Sequence, residues 1–336
     1  MKSYIKLLLC LLLFSCHTKK EKLNVDVSKV KIENIEIKRL DKDLFINDAK
    51  SLKAKLPYLL KTYSNFFISY SRDILMAENY KDSVFIYKIL NFVNDADIKK
   101  IQEDCIKEYP DLNNLNNQFN DAFKHYKYYY PDKTIPKIFT CVSGFNFPVF
   151  VTDSIIAIAL DMYLGENSEY YPKLTIPAYK RRTMRKEYIA VDGIKALAYK
   201  FFEFKSKSNT LVDNMIYEGK IMYFIDAILP DYEDTFKIGF SLKQLEWCKK
   251  YESKMWAYIV DKKILFTQNE LEIKKFISDA PSTSVFPKES PGRTGVWLGW
   301  QIVKSYMNNN KIPLQQLMNE NDANKILSLS RYKPKR

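Results

Sequence analysis

The stretch that decides the fold is LVDNMIYEGKIMYF, which runs from residue 211 to residue 224. Its apolar residues continue to residue 229 with helical spacing, so we predict a helix over 211–229. A carboxylate, Glu218, stands in the middle of this apolar segment, and a glycine follows it. We therefore take Glu218 as a candidate cleft residue, together with Asp213, Tyr217 and Tyr223 on the same helix and Asp192 on the helix before it.

A Glu-Gly pair on an apolar helix, followed by Tyr-Phe, resembles the way many zinc peptidases present their third metal ligand. Those enzymes carry HExxH on the preceding helix, where two histidines one turn apart bind zinc and the Glu activates the metal-bound water. Here the preceding segment, EYIAVDGIKALAYKFFEF at 187–204, is predicted to be helical and contains no histidine. The only histidines in the chain are His17 and His125. We therefore predict no zinc site and no cofactor, and we interpret Glu218 as held by its neighbours.

Carboxylates are the remaining candidates for chemistry in this region. Asp192, Glu203, Asp213 and Glu218 could hold a hard cation, but their spacing is not that of a cation-binding loop. The sequence has no GxSxG elbow, no phosphate-binding loop and no GxGxxG motif. We identify no small-molecule substrate, and a hydrolase that uses paired carboxylates stays open as an alternative.

The amino terminus has the pattern of a bacterial lipoprotein signal. Lys2 and Lys6 precede the apolar run LLLCLLLF at 7–14, which is too short to span a bilayer, and Ser15 and Cys16 follow. We predict a signal peptide over 1–16, a lipid on Cys16 and a tether over 17–31, with a plain signal peptide as the alternative. The Lys-rich HTKKEK after Cys16 favours a position in the cell envelope that faces the periplasm.

The charge of the chain indicates anionic partners. The formal net charge is +13 and the isoelectric point about 9.2. Because an exported protein does not meet nucleic acid, we expect the partner to be a membrane or a protein. The basic loop at 173–186 supplies a candidate binding patch of Lys180, Arg181, Arg182 and Arg185, and a merely solvated surface is the alternative. Cys105, Cys141 and Cys248 are expected to be small buried side chains, with one disulfide left open.

The order of predicted elements indicates an α+β fold that is mostly helical with a small sheet. Hydrophobic residues make up 46% of the chain, enough for a sizeable core. We predict one domain over 32–336, with a helical part at 50–130, the sheet at 134–165 and a second helical part at 187–330. A strand is predicted at 32–39, and Ser241 is a predicted helix N-cap. The helices are predicted at 52–74, 96–109, 112–130, 187–204, 211–229, 241–260, 271–278, 294–307 and 313–329.

Several blocks together resemble one known family. They include IALDMYLG at 158–165, PAYKRRTM at 177–184, IYEGKIMYF at 216–224 and PGRTGVWLGWQIV at 291–303. With the lipobox, these blocks are similar to the gliding motility-associated lipoprotein B family of Bacteroidetes, over most of the chain from about residue 30. The resemblance implies a membrane-anchored lipoprotein that is needed for gliding motility and has no known enzymatic activity.

The same blocks more faintly resemble predicted zinc proteases with YLG, HExxH, EGxAxYF and a later GYxxG helix. This implies a degenerate zincin-like metallopeptidase scaffold whose histidines are missing and whose cleft is reused to hold an extended peptide along a sheet edge. We therefore predict an inactive pseudo-metallopeptidase that acts as a binding or scaffold component of a motility or envelope secretion assembly. The alternatives are an envelope hydrolase that uses carboxylates, and a basic face that lies on anionic lipid beside the anchor.

Overall fold

A computed structural model describes residue 23, residues 25–80 and residues 82–334, and the predicted signal peptide, Cys16 and residues 17–22 and 24 of the tether lie outside these residues. The architecture is a small sheet between two helical layers. The prediction of a mostly helical α+β fold with a small sheet is confirmed. The helices are α1 (Leu40–Asp43), α2 (Ala49–Asp73), α3 (Ser83–Asn94), α4 (Ala96–Glu108), α5 (Asn113–Tyr129), α6 (Tyr170–Lys173), α7 (Ala178–Arg181), α8 (Ile189–Phe201), α9 (Leu211–Ile228), α10 (Asp234–Ile238), α11 (Leu242–Asp261), α12 (Glu270–Ile277), α13 (Thr294–Asn309), α14 (Leu314–Asn319) and α15 (Ala323–Ser330).

The sheet has four strands in the order β1-β2-β4-β3, and it is mixed. Its strands are β1 (Lys38–Arg39), β2 (Lys137–Cys141), β3 (Val149–Thr152) and β4 (Ile155–Ala159). The strands β1 and β4 pair in parallel with β2, while β3 pairs antiparallel with β4 across a tight turn. The strand β3 therefore forms one edge of the sheet within the described part of the chain.

Both faces of the sheet are buried, which is why its strands read as continuous apolar runs. Ile156 and Ile158 face a large core that includes α5, α8, α9 and α13. The alternate residues Ala157 and Ala159 face a second core with α2 and α3. Because successive side chains of a strand point to opposite faces, the run IIAIA fills both cores.

Three predicted elements differ from the structure. Of the strand predicted at 32–39, only β1 pairs, because the backbone N–H groups of Ile35 and Ile37 bond to the side chains of Asn120 and Asn116 on α5. The helix α2 is broken at Ser64, which has a φ of 50°. The helix predicted at 313–329 is two helices, α14 and α15.

Most other predicted helices have their expected bounds within a few residues. Ser241 caps α11 as predicted, since its side chain accepts a hydrogen bond from the backbone N–H of Gln244. The three cysteines Cys105, Cys141 and Cys248 are buried free thiols, as expected, and form no disulfide with one another. The apolar run at 83–94 was not predicted as a helix, although it forms α3.

The helices α9 and α13 cross at very short distance because two glycines meet there. A Cβ atom added to Gly219 would lie 2.3 Å from the carbonyl oxygen of Gly299, and one added to Gly299 would lie 1.7 Å from that of Met215. Any larger residue would force the two backbones apart. The Gly that follows Glu218 therefore has a packing role, and it fixes Glu218 relative to α13.

Candidate functional site

A cleft of about 350 Å³ opens between the sheet edge, α8 and the loops around α10 and the start of α13. Its walls come from chain segments that are far apart in sequence. The residues that line it are Pro148, Val149, Tyr179, Lys180, Arg182, Thr183, Tyr188, Asp192, Lys195, Ala196, Tyr199, Phe236, Lys237, Ile238, Gly239, Phe240, Gln244, Asp279, Ala280, Pro291, Gly292 and Arg293.

One face of α8 forms the floor of the cleft. Asp192, Lys195 and Tyr199 are half-buried and line it, and their spacing of three and four positions puts them on one side of the helix. The other side carries residues such as Ile194 and Leu197, which are fully buried in the core. The apolar half of α8 thus anchors the helix and presents a polar half to the cleft.

The helix α9 meets this polar face through Glu218. The hydroxyl of Tyr199 donates a hydrogen bond to Oε2 of Glu218, with an O···O distance of 2.7 Å. Burial and the negative charge of Glu218 raise the pKa of Tyr199, so the phenol stays protonated and acts as the donor. Glu218 is thereby held by a neighbour, in agreement with its interpretation from the sequence.

Lys195 and Asp192 have opposite charges and both are perturbed by burial. Burial and the nearby positive charge of Arg293 lower the pKa of Lys195. Burial raises the pKa of Asp192, although Lys195 and a 2.9 Å hydrogen bond from the hydroxyl of Tyr163 counteract it. Groups with perturbed pKa values in a cleft mark a candidate functional site.

Arg293 reaches the cleft from a strained position at the start of α13. Its backbone is left-handed, with a φ of 57°, which is uncommon for a residue with a side chain. Its Nε lies 2.9 Å from Oδ1 of Asp279, and its Nη2 donates to the carbonyl of Ile238. These contacts hold the guanidinium against the cleft wall, and backbone strain of this kind is concentrated at functional sites.

A buried carboxylate behind the cleft supports the wall that α10 forms. Asp226 of α9 accepts a hydrogen bond from Trp300 Nε1 at 2.7 Å and from Lys237 Nζ at 3.0 Å. Lys304 lies 3.4 Å from the same carboxylate and 3.7 Å from the centre of the Trp300 ring. Lys237 is therefore neutralised by Asp226, although it also lines the cleft.

The edge strand β3 runs beside the cleft and exposes backbone groups. The N–H of Ala159 donates to the carbonyl of Pro148 at 3.0 Å, which makes these two a hydrogen-bonded pair. Hydrogen-bonded and non-bonded pairs alternate in an antiparallel ladder. The N–H and C=O groups of Val149 and Val151 consequently point away from β4, and no further strand pairs with β3 in the described residues.

The structure divides the five predicted cleft residues among three environments. Asp192 lines the main cleft, and Glu218 joins it through Tyr199. Tyr217 and Asp213 line a second, much smaller pocket, and Tyr223 is buried in the core. The expectation that all five share one cleft is therefore not met by their positions, because successive residues of α9 face different sides.

Asp213 has a structural role at the start of α9. It accepts hydrogen bonds from Ser206, Ser208 and Thr210, at 2.8 to 2.9 Å, and with Thr210 it forms a capping box. Burial alone would raise the pKa of Asp213, but these hydrogen bonds lower it. Its Oδ2 atom is thus used to fix the loop before α9.

The four cations of the predicted basic patch differ in exposure. Lys180 is exposed, whereas Arg181, Arg182 and Arg185 are half-buried. Arg182 lines the cleft, donating to Gln244 Oε1 and to the carbonyl of Gly239, each at 2.6 Å. Arg185 lies over the rings of Tyr188 and Phe236. Binding by this patch stays a prediction.

Lys195, Tyr199 and Arg293 were not predicted as site residues from the sequence. Lys195 and Tyr199 follow Asp192 at helical spacing, which could have placed them on the same face of the helix. Arg293 lies in the PGRTG segment before a predicted helix.

In the part of the chain that the structure describes, no three His, Cys, Asp or Glu side chains are grouped so that they could hold a metal ion. Over the same residues, no helix has the length and apolar character that a bilayer-spanning segment requires.

Comparison with known proteins identifies the family. The family model described as gliding motility protein GldB matches residues 20–334, nearly the whole chain. The chain belongs to the GldB family. This family is one of gliding-motility lipoproteins, so membership implies involvement in gliding motility, as the sequence blocks predicted. No curated protein and no solved structure matches the chain.

Proposed function

We propose that this GldB-family chain is a lipid-anchored, non-catalytic binding component of a gliding-motility assembly in the cell envelope, facing the periplasm. Its cleft would hold an extended segment of a partner protein as an added strand along β3. The outward-pointing backbone groups of Val149, which lines the cleft, and of Val151, two residues further along β3, carry this proposal. Strand addition of this kind uses main-chain hydrogen bonds for affinity and side-chain pockets for specificity.

We infer that the scaffold is a zincin-like fold that lacks the metal ligands. In HExxH the histidines stand four positions apart, and Lys195 and Tyr199 have this spacing on α8. Tyr199 meets Glu218 of the EGKIMYF block, so Lys195, Ala196 and Tyr199 correspond to the first His, the Glu and the second His. An ammonium, a methyl group and a phenol cannot supply the ligands and base that zinc hydrolysis needs.

A hydrolase that uses two carboxylates is less well supported by the cleft. The two carboxylates that line it are Asp192 and Asp279. Asp279 is paired with Arg293, and Asp192 accepts a hydrogen bond from Tyr163. Each acid thus has a partner of its own, which favours binding over general acid–base catalysis.

Replacing Val151 by proline tests strand addition directly. The N–H of Val151 points outward, so proline removes the donor that a partner strand needs and leaves the β3–β4 hydrogen bonds intact. Val151→Thr is the matched control, because it keeps the N–H and the branched side chain. Random peptides displayed on phage would be selected on the full chain purified in detergent, and binding of the selected peptides to both variants measured.

We expect Val151→Pro to lose these peptides and Val151→Thr to keep them, with equal melting temperatures. In the native bacterium, Val151→Pro should also reduce colony spreading at unchanged protein abundance. Selected peptides that bind Val151→Pro as well as the wild type would refute strand addition.

A further inference from the structure

The cleft carries an excess of positive charge. Five lining residues are cationic and two are acidic, namely Lys180, Arg182, Lys195, Lys237 and Arg293 against Asp192 and Asp279. Lys237 is neutralised by Asp226, and Arg293 is paired with Asp279. The remaining cations, Lys180, Arg182 and Lys195, have no carboxylate within 4.0 Å among the described residues.

Lys195 is the most unusual of these cations. It lies half-buried on the cleft floor, and no hydrogen bond or ion pair reaches its ammonium group from the described part of the chain. Arg293 adds a like charge nearby, whereas Glu218, Asp192 and Asp279 attract the ammonium group from beyond 4.0 Å. A partly desolvated ammonium group that no carboxylate contacts favours a ligand that brings a carboxylate to it.

Arg182 is a second cation without an anionic partner. Its two terminal nitrogens donate to neutral acceptors, Gln244 Oε1 and the Gly239 carbonyl. These bonds fix the guanidinium on the cleft wall but leave its charge uncompensated. Since the side chain is already oriented, little conformational entropy would be lost when an anion approaches it.

We propose that the cleft recognises a carboxylate on its extended peptide ligand, and that Lys195 and Arg182 are the groups that recognise it. This inference rests on the proposed function, because it names the chemistry of the ligand at the same site. The carboxylate comes either from an acidic side chain or from the carboxyl terminus of the peptide. Strand β3 supplies the peptide backbone contacts, and Tyr188, Phe236 and Phe240 supply apolar surface for neighbouring side chains.

A peptide carboxylate fits this cleft better than a phosphate-bearing lipid headgroup. A phosphodiester headgroup and a carboxylate each carry one negative charge, so charge alone does not separate the two ligands. The edge of β3, however, would have no partner if the ligand were a lipid. Anionic vesicles are therefore a competitor in the test.

Binding of a carboxylate should change the protonation of Lys195, whose pKa also responds to Arg293, Glu218, Asp192 and Asp279. An anion near Lys195 favours its charged form and raises its lowered pKa toward the ordinary value. Between the free and the bound pKa, the complex holds more protons than the free protein, so binding takes up protons. Affinity should then fall as pH rises through the pKa of free Lys195.

The test uses the full chain in detergent and peptides selected from random libraries with free or blocked carboxyl termini. Each selected peptide is resynthesised with Glu and Asp changed to Gln and Asn, and as acid and amide. Lys195→Met and Arg182→Lys are the variants, because the second keeps charge but cannot reproduce the fork of two donors. Lys262→Met, an exposed lysine outside the cleft, is the matched control.

We expect the selected peptides to carry a carboxylate. Neutralising that carboxylate, or replacing Lys195 by Met, should lower the affinity about tenfold, which corresponds to one charged hydrogen bond. Lys262→Met should leave affinity unchanged, and proton uptake should be seen by calorimetry in buffers of different ionisation enthalpy. The acid and amide arms tell a terminal carboxylate from a side-chain one.

Neutral peptides that bind as tightly as acidic ones would overturn this inference and leave the strand-addition proposal standing. Selection of no peptide at all would overturn both. Displacement of the peptides by vesicles of phosphatidylglycerol, but not by vesicles of phosphatidylcholine, would assign the cleft to lipid and would also overturn the inference.

Discussion

Tyr199 on α8 donates a 2.7 Å hydrogen bond to Glu218 on α9, and this bond joins the two helices that border the cleft floor. Both side chains are half-buried. On the zincin-like scaffold that we propose, this bond takes the place of a metal between the two helices. We interpret it as the contact that keeps the cleft formed without a metal.

The effect of replacing Glu218 on stability should depend on the hydrogen bond with Tyr199 rather than on the charge of Glu218. Glu218→Gln keeps an acceptor for Tyr199 and should cost less than about 1 kcal/mol of unfolding free energy, whereas Glu218→Leu leaves the phenol unsatisfied and should cost about 1–3 kcal/mol. Chemical denaturation measures both. In a double-mutant cycle, Tyr199→Phe should remove most of the cost of Glu218→Leu, and strict additivity of the two would disprove this coupling.

The crossing of α9 and α13 should be intolerant of any side chain. Gly299→Ala would place a Cβ atom 1.7 Å from the carbonyl oxygen of Met215, so the backbones must separate. We expect a loss of about 3 kcal/mol or more, measured by thermal or chemical unfolding. Gly193→Ala is the control, because its Cβ atom would meet side chains rather than backbone, namely the ring of Phe119 at 3.1 Å and Ile156 at 3.7 Å. Equal stability of the two variants would contradict the close crossing.

Lys220 should make stability depend on pH in the alkaline range. It is buried and donates to the carbonyls of Met318 and Glu320, and burial lowers its pKa to about 8. Between pH 8 and its ordinary pKa the unfolded chain binds more protons than the folded one, so stability should rise with pH. The gain should approach about 2–3 kcal/mol.

Comparison of variants isolates this effect from other titrations. The wild type should gain stability relative to Lys220→Met from pH 8 to pH 10 in urea unfolding, and Lys249→Met, an exposed lysine, should track the wild type. If the difference in unfolding free energy between the wild type and Lys220→Met does not change with pH, the pKa of Lys220 is not lowered in the folded protein.

The helices of the site could be predicted from sequence, but its walls could not. The spacing of apolar residues in 187–204 and 211–229 predicted α8 to within three residues and α9 to within one, because both helices bury many apolar residues. Arg293, Asp279 and Gly239 lie in loops whose positions depend on contacts between distant segments. No local pattern carries that information, so it was not predicted that the basic loop at 173–186 lines the same cleft as Asp192.

The same limit explains the errors in secondary structure. The alternating residues at 32–39 have a strand pattern, yet Asn116 and Asn120 of α5, rather than a neighbouring strand, bond the backbone N–H groups of Ile37 and Ile35. The break between α14 and α15 follows from Asp322, whose side chain caps α15 by accepting from the N–H of Lys325. A tertiary contact thus explains the error at 32–39, and an unrecognised N-cap explains the error at 313–329.

The membrane anchor is a prediction that concerns residues outside the described part of the chain. Cys16→Ser should remove the lipid and release the protein from membranes into the soluble fraction, or block its maturation, because a basic surface alone holds membranes weakly. Fractionation and mass spectrometry of the amino-terminal peptide measure this. Full membrane retention of Cys16→Ser, with no lipid found on the wild type, would refute the anchor.

On the scaffold that we propose, Lys195 and Tyr199 stand where metal-binding histidines would stand, and the cleft binds its peptide ligand without a metal. Elemental analysis of the purified full chain tests it most directly, alongside the triple variant Lys195→His, Ala196→Glu and Tyr199→His. We predict no stoichiometric zinc in the wild type and about one zinc per chain in the triple variant, since two histidines one turn apart with Glu218 opposite complete a zinc site. One zinc per wild-type chain, lost in Glu218→Gln together with a hydrolytic activity, would contradict the account, as would a folded triple variant that binds no zinc.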